Sequence, residues 1–296
     1  MLDLLLLATI AALASPAHAG ICVGLAVGSG IMSRNRATTL YAAMIVLGAL
    51  IEGFMMRRAV FNTSTCVLVS TIAMSIAPSF IGIPLSLNFG LYTSQIGCSL
   101  GLSGLSIMLR LAHMCFWWIL FLTATGFSSL LLQRALEHEL ARSRAPLTTL
   151  KRVRIAIVVL TLLLSFVVGA NTFGFIIAFS RSCSQLSLGL LCASIALPAL
   201  CFSSKSVEKV AYRFYRIRLS NAITTLIVSI TILEIATLMS VPLPASLTIT
   251  TAIYFAGMAA RFRYMSARTY LQYVTVQCIA IPLALGLGYA ISLVLG

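Results

Sequence analysis

Apolar and polar stretches alternate along the whole chain, and the apolar stretches are long. One helical crossing of a bilayer requires about 20 consecutive apolar residues, and most of the apolar stretches approach that length. They lie at roughly 2–17, 21–32, 38–56, 64–82, 86–103, 111–133, 152–179, 185–203, 219–241, 244–260 and 269–295. This pattern predicts an all-α polytopic membrane protein with about ten transmembrane crossings.

Three of these stretches are poor candidates for ordinary crossings. The segments 21–32, 86–103 and 244–260 are short or rich in Gly, Ser and Thr. Irregular backbone inside a membrane is tolerated only where it is buried in protein or lines a cavity. We therefore expect half-helices or re-entrant hairpins at these three positions.

A polar interruption lies within the apolar run 155–179. Its sequence is Val167-Val168-Gly169-Ala170-Asn171-Thr172-Phe173-Gly174. Glycine weakens a helix by about 1 kcal/mol relative to alanine, and exposed polar backbone is not tolerated against lipid. Taken alone, the interruption is explained equally by a close contact between two helices and by a binding site.

The composition excludes an ordinary soluble protein. Of the 296 residues, 60% are hydrophobic and 9% are charged, and the mean hydropathy is +1.06. The net charge of +14 does not indicate nucleic-acid binding, because the cations lie between apolar runs rather than on one soluble face. With segment 133–154 placed in the cytoplasm, 16 of the 20 Lys and Arg residues are cytoplasmic. The positive-inside rule then predicts a multi-pass protein of the cell membrane with both termini outside.

The same segment divides the chain almost in half. We predict a first membrane repeat at 1–132, a basic cytoplasmic linker loop at 133–154 and a second membrane repeat at 155–296. Five crossings per half would invert the second repeat relative to the first. Each half carries a polar break in its first span and a proline-led, serine-bearing break before its fourth. Such paired breaks indicate a substrate site at the membrane midplane.

Short motifs at these breaks resemble those of a known family. The second half contains Gly169-Ala170-Asn171, Lys205-Ser206-Val207-Glu208-Lys209, Pro242 with Ser246, and Ser266-Ala267-Arg268-Thr269 followed by Ile281-Pro282. The first half contains Ala26-Val27-Gly28-Ser29-Gly30 and Pro84-Leu85-Ser86. In order and spacing they resemble the PiT family of inorganic phosphate transporters, whose repeats carry GANDVANA-like and PVSTTH-like motifs. The resemblance spans essentially the whole chain and implies a phosphate transporter built from two inverted repeats.

The chain departs from that family at its charged positions. Thr172 stands where the second GAND motif has its aspartate, and His18 stands at the corresponding position of the first half. In the family, these carboxylates and the neighbouring amides are implicated in holding the anion and its coupling cation. Their loss argues against sodium coupling, whereas hydroxyl groups, backbone N–H groups and helix N-termini still suffice to hold an oxyanion.

The candidate site residues lie at the breaks. For each of them, a role in helix packing is the alternative to a role in binding. For the substrate they are Asn171, Thr172, Ser86, Asn88, Ser246, Thr248, Gly28 and Ser29, the last two as a half-helix start with free N–H groups. Candidates for the coupling ion are His18, which titrates near neutrality, and Glu234, an ionisable residue in an apolar run. We expect Glu52, in another apolar run, to pair with Arg57 and Arg58.

The sequence contains no nucleophile–base pair, metal cluster or phosphate-binding loop, so an enzyme is not expected. Its eight cysteines lie mostly in apolar runs and are interpreted as small hydrophobic residues rather than a disulfide framework. The prediction is a secondary transporter of an inorganic oxyanion, with phosphate favoured by the resemblance, working by alternating access. It requires no cofactor beyond a coupling Na⁺ or H⁺. A sulfate permease of the same fold and a non-transporting membrane protein remain alternatives. The expected partners are the anion and the lipid bilayer, and the sequence leaves open whether the protein forms a homo-oligomer.

Overall fold

The described part of the chain is helical and contains no strand. The computed structural model describes residues 1–81, 86–142, 146–180, 184–214, 218–260 and 267–295. In chain order the elements are α1 (Leu2–Gly28), α2 (Arg34–Ile51), a 3₁₀ helix (Gly53–Ala59), α3 (Thr65–Ile81), α4 (Leu87–Arg142), α5 (Pro146–Val168), a π-helical segment (Gly169–Phe173), α6 (Gly174–Ala178), α7 (Gln185–Phe214), α8 (Leu219–Leu238), α9 (Ala245–Ala259) and α10 (Ala267–Leu295).

Several of these helices are suited to a membrane. In the described residues, six helices are long and apolar enough to cross it, and a seventh crossing results if α2 and the 3₁₀ helix, bent by 57°, form one span. The all-α membrane architecture is therefore confirmed. The predicted number of about ten crossings is not confirmed, because α9 and the apolar part of α3 are too short to span a bilayer alone.

The helix α4 reverses direction and forms two arms. The ring centroids of Phe89 and Trp118 are 4.2 Å apart, and those of Tyr92 and Trp118 are 6.0 Å apart. A straight helix would separate residues 89 and 118 by about 40 Å, so the chain turns back between Tyr92 and Trp118. We call α3 and the first arm of α4 the first hairpin, and α8 and α9 the second hairpin. The motif residues Pro84 and Leu85, between α3 and α4 in the sequence, lie outside the described residues.

Glycines bring the first span of each half close to the second span of the other half. A Cβ added at Gly24 of α1 would lie 2.6 Å from Val210 Cγ1 of α7. At the reciprocal crossing, a Cβ added at Gly169 would collide with the main chain of Ile45 in α2. Small residues are typical of close helix contacts in membranes. This reciprocal packing is the arrangement that two repeats would produce, while the predicted repeat boundaries stay a prediction.

The segment 133–154 is mostly helical, which corrects the prediction of a linker loop. The second arm of α4 continues to Arg142 and α5 begins at Pro146, with residues 143–145 outside the described part. Leu, Arg, Lys and Glu are good helix formers, so a polar and charged composition does not end a helix by itself. The buried side chain of Gln133 links α4 to α8 in this segment. It accepts a hydrogen bond from Thr224 Oγ1 of α8 at 2.7 Å.

A disulfide bond closes the first hairpin. It joins Cys66 of α3 to Cys98 of the first arm of α4, with Cα atoms 6.4 Å apart. The interpretation of all cysteines as small hydrophobic residues is therefore wrong for this pair. The two lie in different apolar runs, and only the antiparallel arrangement of the hairpin brings them together. Their sulfur atoms lie 3.3 and 3.4 Å from the Gly288 carbonyl oxygen, which places the hairpin against α10.

Candidate functional site

The π-helical segment places Asn171 at the junction of α5 and α6. All five residues from Gly169 to Phe173 are buried. A π-turn accommodates one extra residue in a helix and is frequent at functional sites. A Cβ added at Gly174, the next residue, would collide with Gly53 of the 3₁₀ helix. The polar interruption predicted from the sequence is thus a local change of helix type inside tightly packed protein.

The Asn171 side chain is hydrogen-bonded on both of its polar atoms. Its Nδ2 donates to Thr237 Oγ1 at 3.0 Å and to the Val241 carbonyl oxygen at 3.1 Å. Its Oδ1 accepts from Leu243 N at 3.2 Å and from Asn88 Nδ2 at 2.9 Å. One buried amide therefore joins the π-segment, the end of α8, the tip of the second hairpin and the first arm of α4.

Asn88 comes from the first turn of α4 and meets the second hairpin as well. Its Nδ2 donates to the Leu243 carbonyl oxygen at 2.6 Å and lies 3.4 Å from Thr172 Oγ1. These acceptors fix which atom of the amide is nitrogen. The remaining Oδ1 is buried, and no described residue donates a hydrogen bond to it. A buried unpaired acceptor is unfavourable by about 1–3 kcal/mol, so this atom is a natural place for a ligand's donor.

The start of α9 supplies further polar groups. Ser246 lies in its first turn, and the Ser246 hydroxyl is buried with no partner among the described residues. Thr248 is less available, because its hydroxyl donates to the Pro244 carbonyl oxygen at 3.1 Å. No side chain caps the N-terminus of α9. Because Asn88 binds the residue just before Pro244, the N-termini of α4 and α9 meet, and such termini attract anions.

Unfilled space adjoins these residues on the first arm of α4. Gly90 is buried, yet no described atom would lie within 4 Å of a Cβ added to it. One turn further along, the Ser94 hydroxyl is buried and has no partner in the described part of the chain. We call Asn88, Asn171, Thr172 and Ser246 the polar centre. It combines donors, an unpaired acceptor and adjacent room.

Three contacts of this region were not expected from the sequence. Thr237 binds Asn171, Gln277 Oε1 of α10 accepts from Ser86 N at 2.9 Å, and Trp118 Nε1 donates to the Pro242 carbonyl oxygen at 3.1 Å. All three residues lie outside the break motifs. The signal that the sequence offered for each was a polar group within an apolar run. The N–H of Ser86 is consequently engaged by α10 and not free for a substrate.

The candidates in α1 have different surroundings. His18 is buried, its Nδ1 lies 2.9 Å from the Ala14 carbonyl oxygen, and its ring packs edge-on against Phe173 with centroids 5.8 Å apart. It therefore borders the π-segment. Gly28 and Ser29 do not start a half-helix, which corrects that prediction, because α1 is continuous and ends at Gly28. A helix C-terminus presents carbonyl groups rather than free N–H groups.

Glu234 has an acidic neighbour. It lies near Glu52, which follows α2. The pairing of Glu52 with Arg57 and Arg58 stays a prediction. Glu234 is close to the polar centre in sequence, since Thr237 follows it by one turn.

No protein-family model and no curated protein matches this chain. A solved structure described as the sodium-dependent phosphate transporter matches it over 100% of this chain and 99% of that chain, with a TM-score of 0.82 and 12% sequence identity. The chain has the fold of that transporter. The PiT-like architecture inferred from the motifs is therefore confirmed.

Proposed function

We propose that this protein is a secondary transporter that moves inorganic phosphate across the membrane by alternating access. The observation that carries this proposal is the polar centre, where the first hairpin meets the π-segment and the second hairpin. Inverted-repeat transporters bind their substrates where broken helices of the two repeats meet. The similar solved structure is a sodium-dependent phosphate transporter, which supports the same class of substrate.

The polar centre suits an anion although it contains no cation. The π-segment, α9 and residues 87–103 of α4 contain no Lys, Arg, Asp or Glu, so no carboxylate of these elements repels an anion. The N-termini of α4 and α9 each supply roughly half a positive charge. With the hydroxyls of Thr172 and Ser246, their N–H groups form the kind of donor set that holds oxyanions at helix N-termini.

The unpaired Oδ1 of Asn88 favours phosphate over sulfate. Near neutral pH phosphate keeps at least one proton and donates an O–H group, whereas sulfate offers acceptors alone. Bound phosphate satisfies Oδ1, while bound sulfate leaves that buried acceptor unpaired. The resulting difference of about 1–3 kcal/mol corresponds to a preference of roughly tenfold or more.

Uptake of labelled phosphate and labelled sulfate into liposomes tests the proposal. Each anion is offered under a sodium gradient, a proton gradient or no gradient, and we expect phosphate to be preferred by about tenfold or more. The site is tested with Ser246→Ala, because the Ser246 hydroxyl has no described partner to lose on substitution. We expect a several-fold higher KM for phosphate at unchanged thermal stability. Ser229→Ala, which removes a comparably buried and unpaired hydroxyl from α8, is the matched control.

Three results would contradict parts of the proposal. Absence of uptake of both anions under every gradient would reject transport. Uptake in which the Ser246→Ala and Ser229→Ala variants behave alike would keep transport and reject the polar centre as its site. Sulfate uptake equal to or above phosphate uptake would favour a sulfate permease of the same fold.

A non-transporting membrane protein of this fold is the second candidate, and one observation favours it. Both polar atoms of the Asn171 side chain already have two protein partners each. An anion can use this amide only after some of these bonds break. In a protein without transport, Asn171 would serve to fasten the two hairpins, and the uptake experiment separates the two candidates.

A further inference from the structure

We propose that residues 60–64 form a strap over a second phosphate-binding position, where Gln95 and Arg110 receive the anion before it reaches the polar centre. The inference rests on the proposed transport of phosphate and adds a step to it. The strap joins the 3₁₀ helix to α3 and is not helical. Irregular backbone in a membrane is tolerated where it is buried in protein or lines a cavity. We call this position the outer position, because the distribution of Lys and Arg predicts that the strap lies on the outer side.

Gln95 binds the strap with one polar atom and leaves the other unpaired. The residue lies on the first arm of α4 and is fully buried. Its Oε1 accepts hydrogen bonds from Phe61 N at 2.9 Å and from Asn62 N at 3.2 Å. These two donors fix which atom of the amide is oxygen. The Nε2 atom is buried and has no partner among the described residues. Because an amide nitrogen carries two N–H donors, the missing partner is an acceptor, such as an oxygen of phosphate.

A second unpaired group lies in the strap itself. The Ser64 hydroxyl oxygen is buried, and no described residue hydrogen-bonds to it. The Ser64 N–H donates to Asn62 Oδ1 at 3.0 Å, so a tight turn holds this hydroxyl beside a residue that Gln95 touches. Asn62 Nδ2 in turn donates to Ser99 Oγ at 2.8 Å, one turn beyond Gln95 on α4. Side chains of α4 therefore hold the strap closed over both unpaired groups.

Arg110 supplies a positive charge at the strap. Its guanidinium carbon lies 5.2 Å from the ring centroid of Phe61, the residue whose N–H binds Gln95. Arg110 is exposed, so an anion meets it before the buried amide. Asp3 carries the opposite charge beyond the other end of the strap, where its Oδ1 accepts from Thr65 Oγ1 at 2.8 Å. The anion therefore binds on the side of Gln95 and Arg110, since guanidinium and N–H donors together favour an oxyanion.

One face of the first arm of α4 connects the outer position with the polar centre. Asn88, Tyr92 and Gln95 follow one another at spacings of four and three residues, which places them on the same side of the helix. Seven residues of α-helix separate Asn88 from Gln95 by about 10 Å. Tyr92 lies between them and packs edge-on against Phe61 of the strap, with ring centroids 5.7 Å apart. An anion released by Gln95 thus reaches Asn88 along two turns of one helix.

Hydrogen–deuterium exchange of the strap amides tests the outer position without requiring transport. Mass spectrometry of the full-length protein in detergent measures it over a range of phosphate concentrations. We expect phosphate to slow exchange in the wild type, because the bound anion links Gln95 Nε2 to the closed strap. Gln95→Glu keeps the acceptor for Phe61 N and Asn62 N and removes the Nε2 donor. It should raise the phosphate concentration for half-maximal protection by about tenfold or more. Gln133→Glu, the same substitution at another fully buried glutamine of α4, is the matched control and should leave that concentration unchanged.

The charge is tested separately at an exposed residue, where a substitution leaves the buried packing intact. Arg110→Gln should raise the phosphate concentration for half-maximal protection several-fold at low salt and less at high salt, because salt screens exposed charges. Arg58→Gln removes another exposed arginine, from the 3₁₀ helix just before the strap, and is the matched control. Equal effects of the two substitutions would remove Arg110 from the outer position.

The Ser246→Ala variant separates the outer position from the polar centre. It should raise the KM of uptake and leave the protection of the strap by phosphate unchanged. Strap exchange that does not respond to phosphate in the wild type would overturn the outer position, and so would loss of protection in Ser246→Ala. Equal responses of Gln95→Glu and Gln133→Glu would overturn the assignment to Gln95. Intact protection without any uptake would reject the proposed function and leave the binding position in place.

Discussion

The first spans of the two halves occupy reciprocal places and carry different chemistry. In the first half, α1 is a continuous helix from Leu2 to Gly28, whereas the corresponding span of the second half contains the π-segment between α5 and α6. Asn171 holds four partners there, while His18 in α1 has one backbone contact with Ala14. The difference shows that the first span of the second half supplies more hydrogen bonds to the polar centre than the first span of the first half does.

The largest expected effect comes from removing the Asn171 side chain. Asn171→Ala leaves Leu243 N and Asn88 Nδ2 short of a buried acceptor, and each unsatisfied group is unfavourable by about 1–3 kcal/mol. We expect a loss of about 4 kcal/mol in the free energy of unfolding together with loss of phosphate uptake. His18→Ala should lower stability by about 1–2 kcal/mol. Thermal unfolding in detergent measures both losses of stability. Equal losses for the Asn171 and His18 variants would contradict the difference between the two first spans.

The next effect distinguishes the two hairpins. The first hairpin is closed by the disulfide between Cys66 and Cys98, whereas residues 219–259 of the second contain no cysteine. Closing a loop of this length restricts the unfolded chain and stabilises the fold by about 3 kcal/mol. Cys66→Ser should therefore lower the unfolding temperature, and a reductant should lower that of the wild type but not of the variant. Cys115→Ser is the control, and a wild-type temperature indifferent to reductant would contradict the prediction.

A smaller effect tests the two close helix crossings. A Cβ added at Gly48 of α2 would collide with the main chain of Phe166, whereas one added at Gly24 of α1 meets the side chain of Val210. A side chain can rotate away and a helix backbone cannot, so Gly48→Ala should destabilise by about 2 kcal/mol and Gly24→Ala by less. Gly189→Ala, with no described atom within 4 Å, is the control in the same unfolding assay. The reverse order would mean that the α1–α7 crossing is the tighter one.

Much of this architecture follows from the sequence, because its signals are local. Apolar runs gave the helices, and Gly169, Asn171 and Pro242 marked the places where helices change or begin. The partners of these residues depend on contacts between distant segments, which a single sequence does not encode locally. Thr237, Gln277 and the Cys66–Cys98 pair are of this kind. Gly28 and Ser29 were misassigned because a glycine-rich sequence fits the end of a helix as well as its start.

The smallest effect concerns an ion pair between the halves. Arg34 at the start of α2 pairs with Glu208 of α7, and both side chains are more than 40% exposed. Exposed ion pairs contribute about 0–1 kcal/mol because water and salt screen them. Glu208→Gln should therefore leave the unfolding temperature nearly unchanged at all salt concentrations. A large loss would show that this contact is important for holding α2 against α7.

The disulfide of the first hairpin also bears on the orientation of the chain in the membrane. Disulfide bonds persist in oxidising compartments and are rare in the reducing cytosol. We therefore expect the end of α3 that carries Cys66 to face away from the cytosol, together with Thr65 and its hydrogen-bonded partner Asp3 near the N-terminus. This argument uses oxidation chemistry instead of charge, and it gives the same orientation as the distribution of Lys and Arg. A membrane-impermeant reductant added outside intact cells should consequently reach the bond.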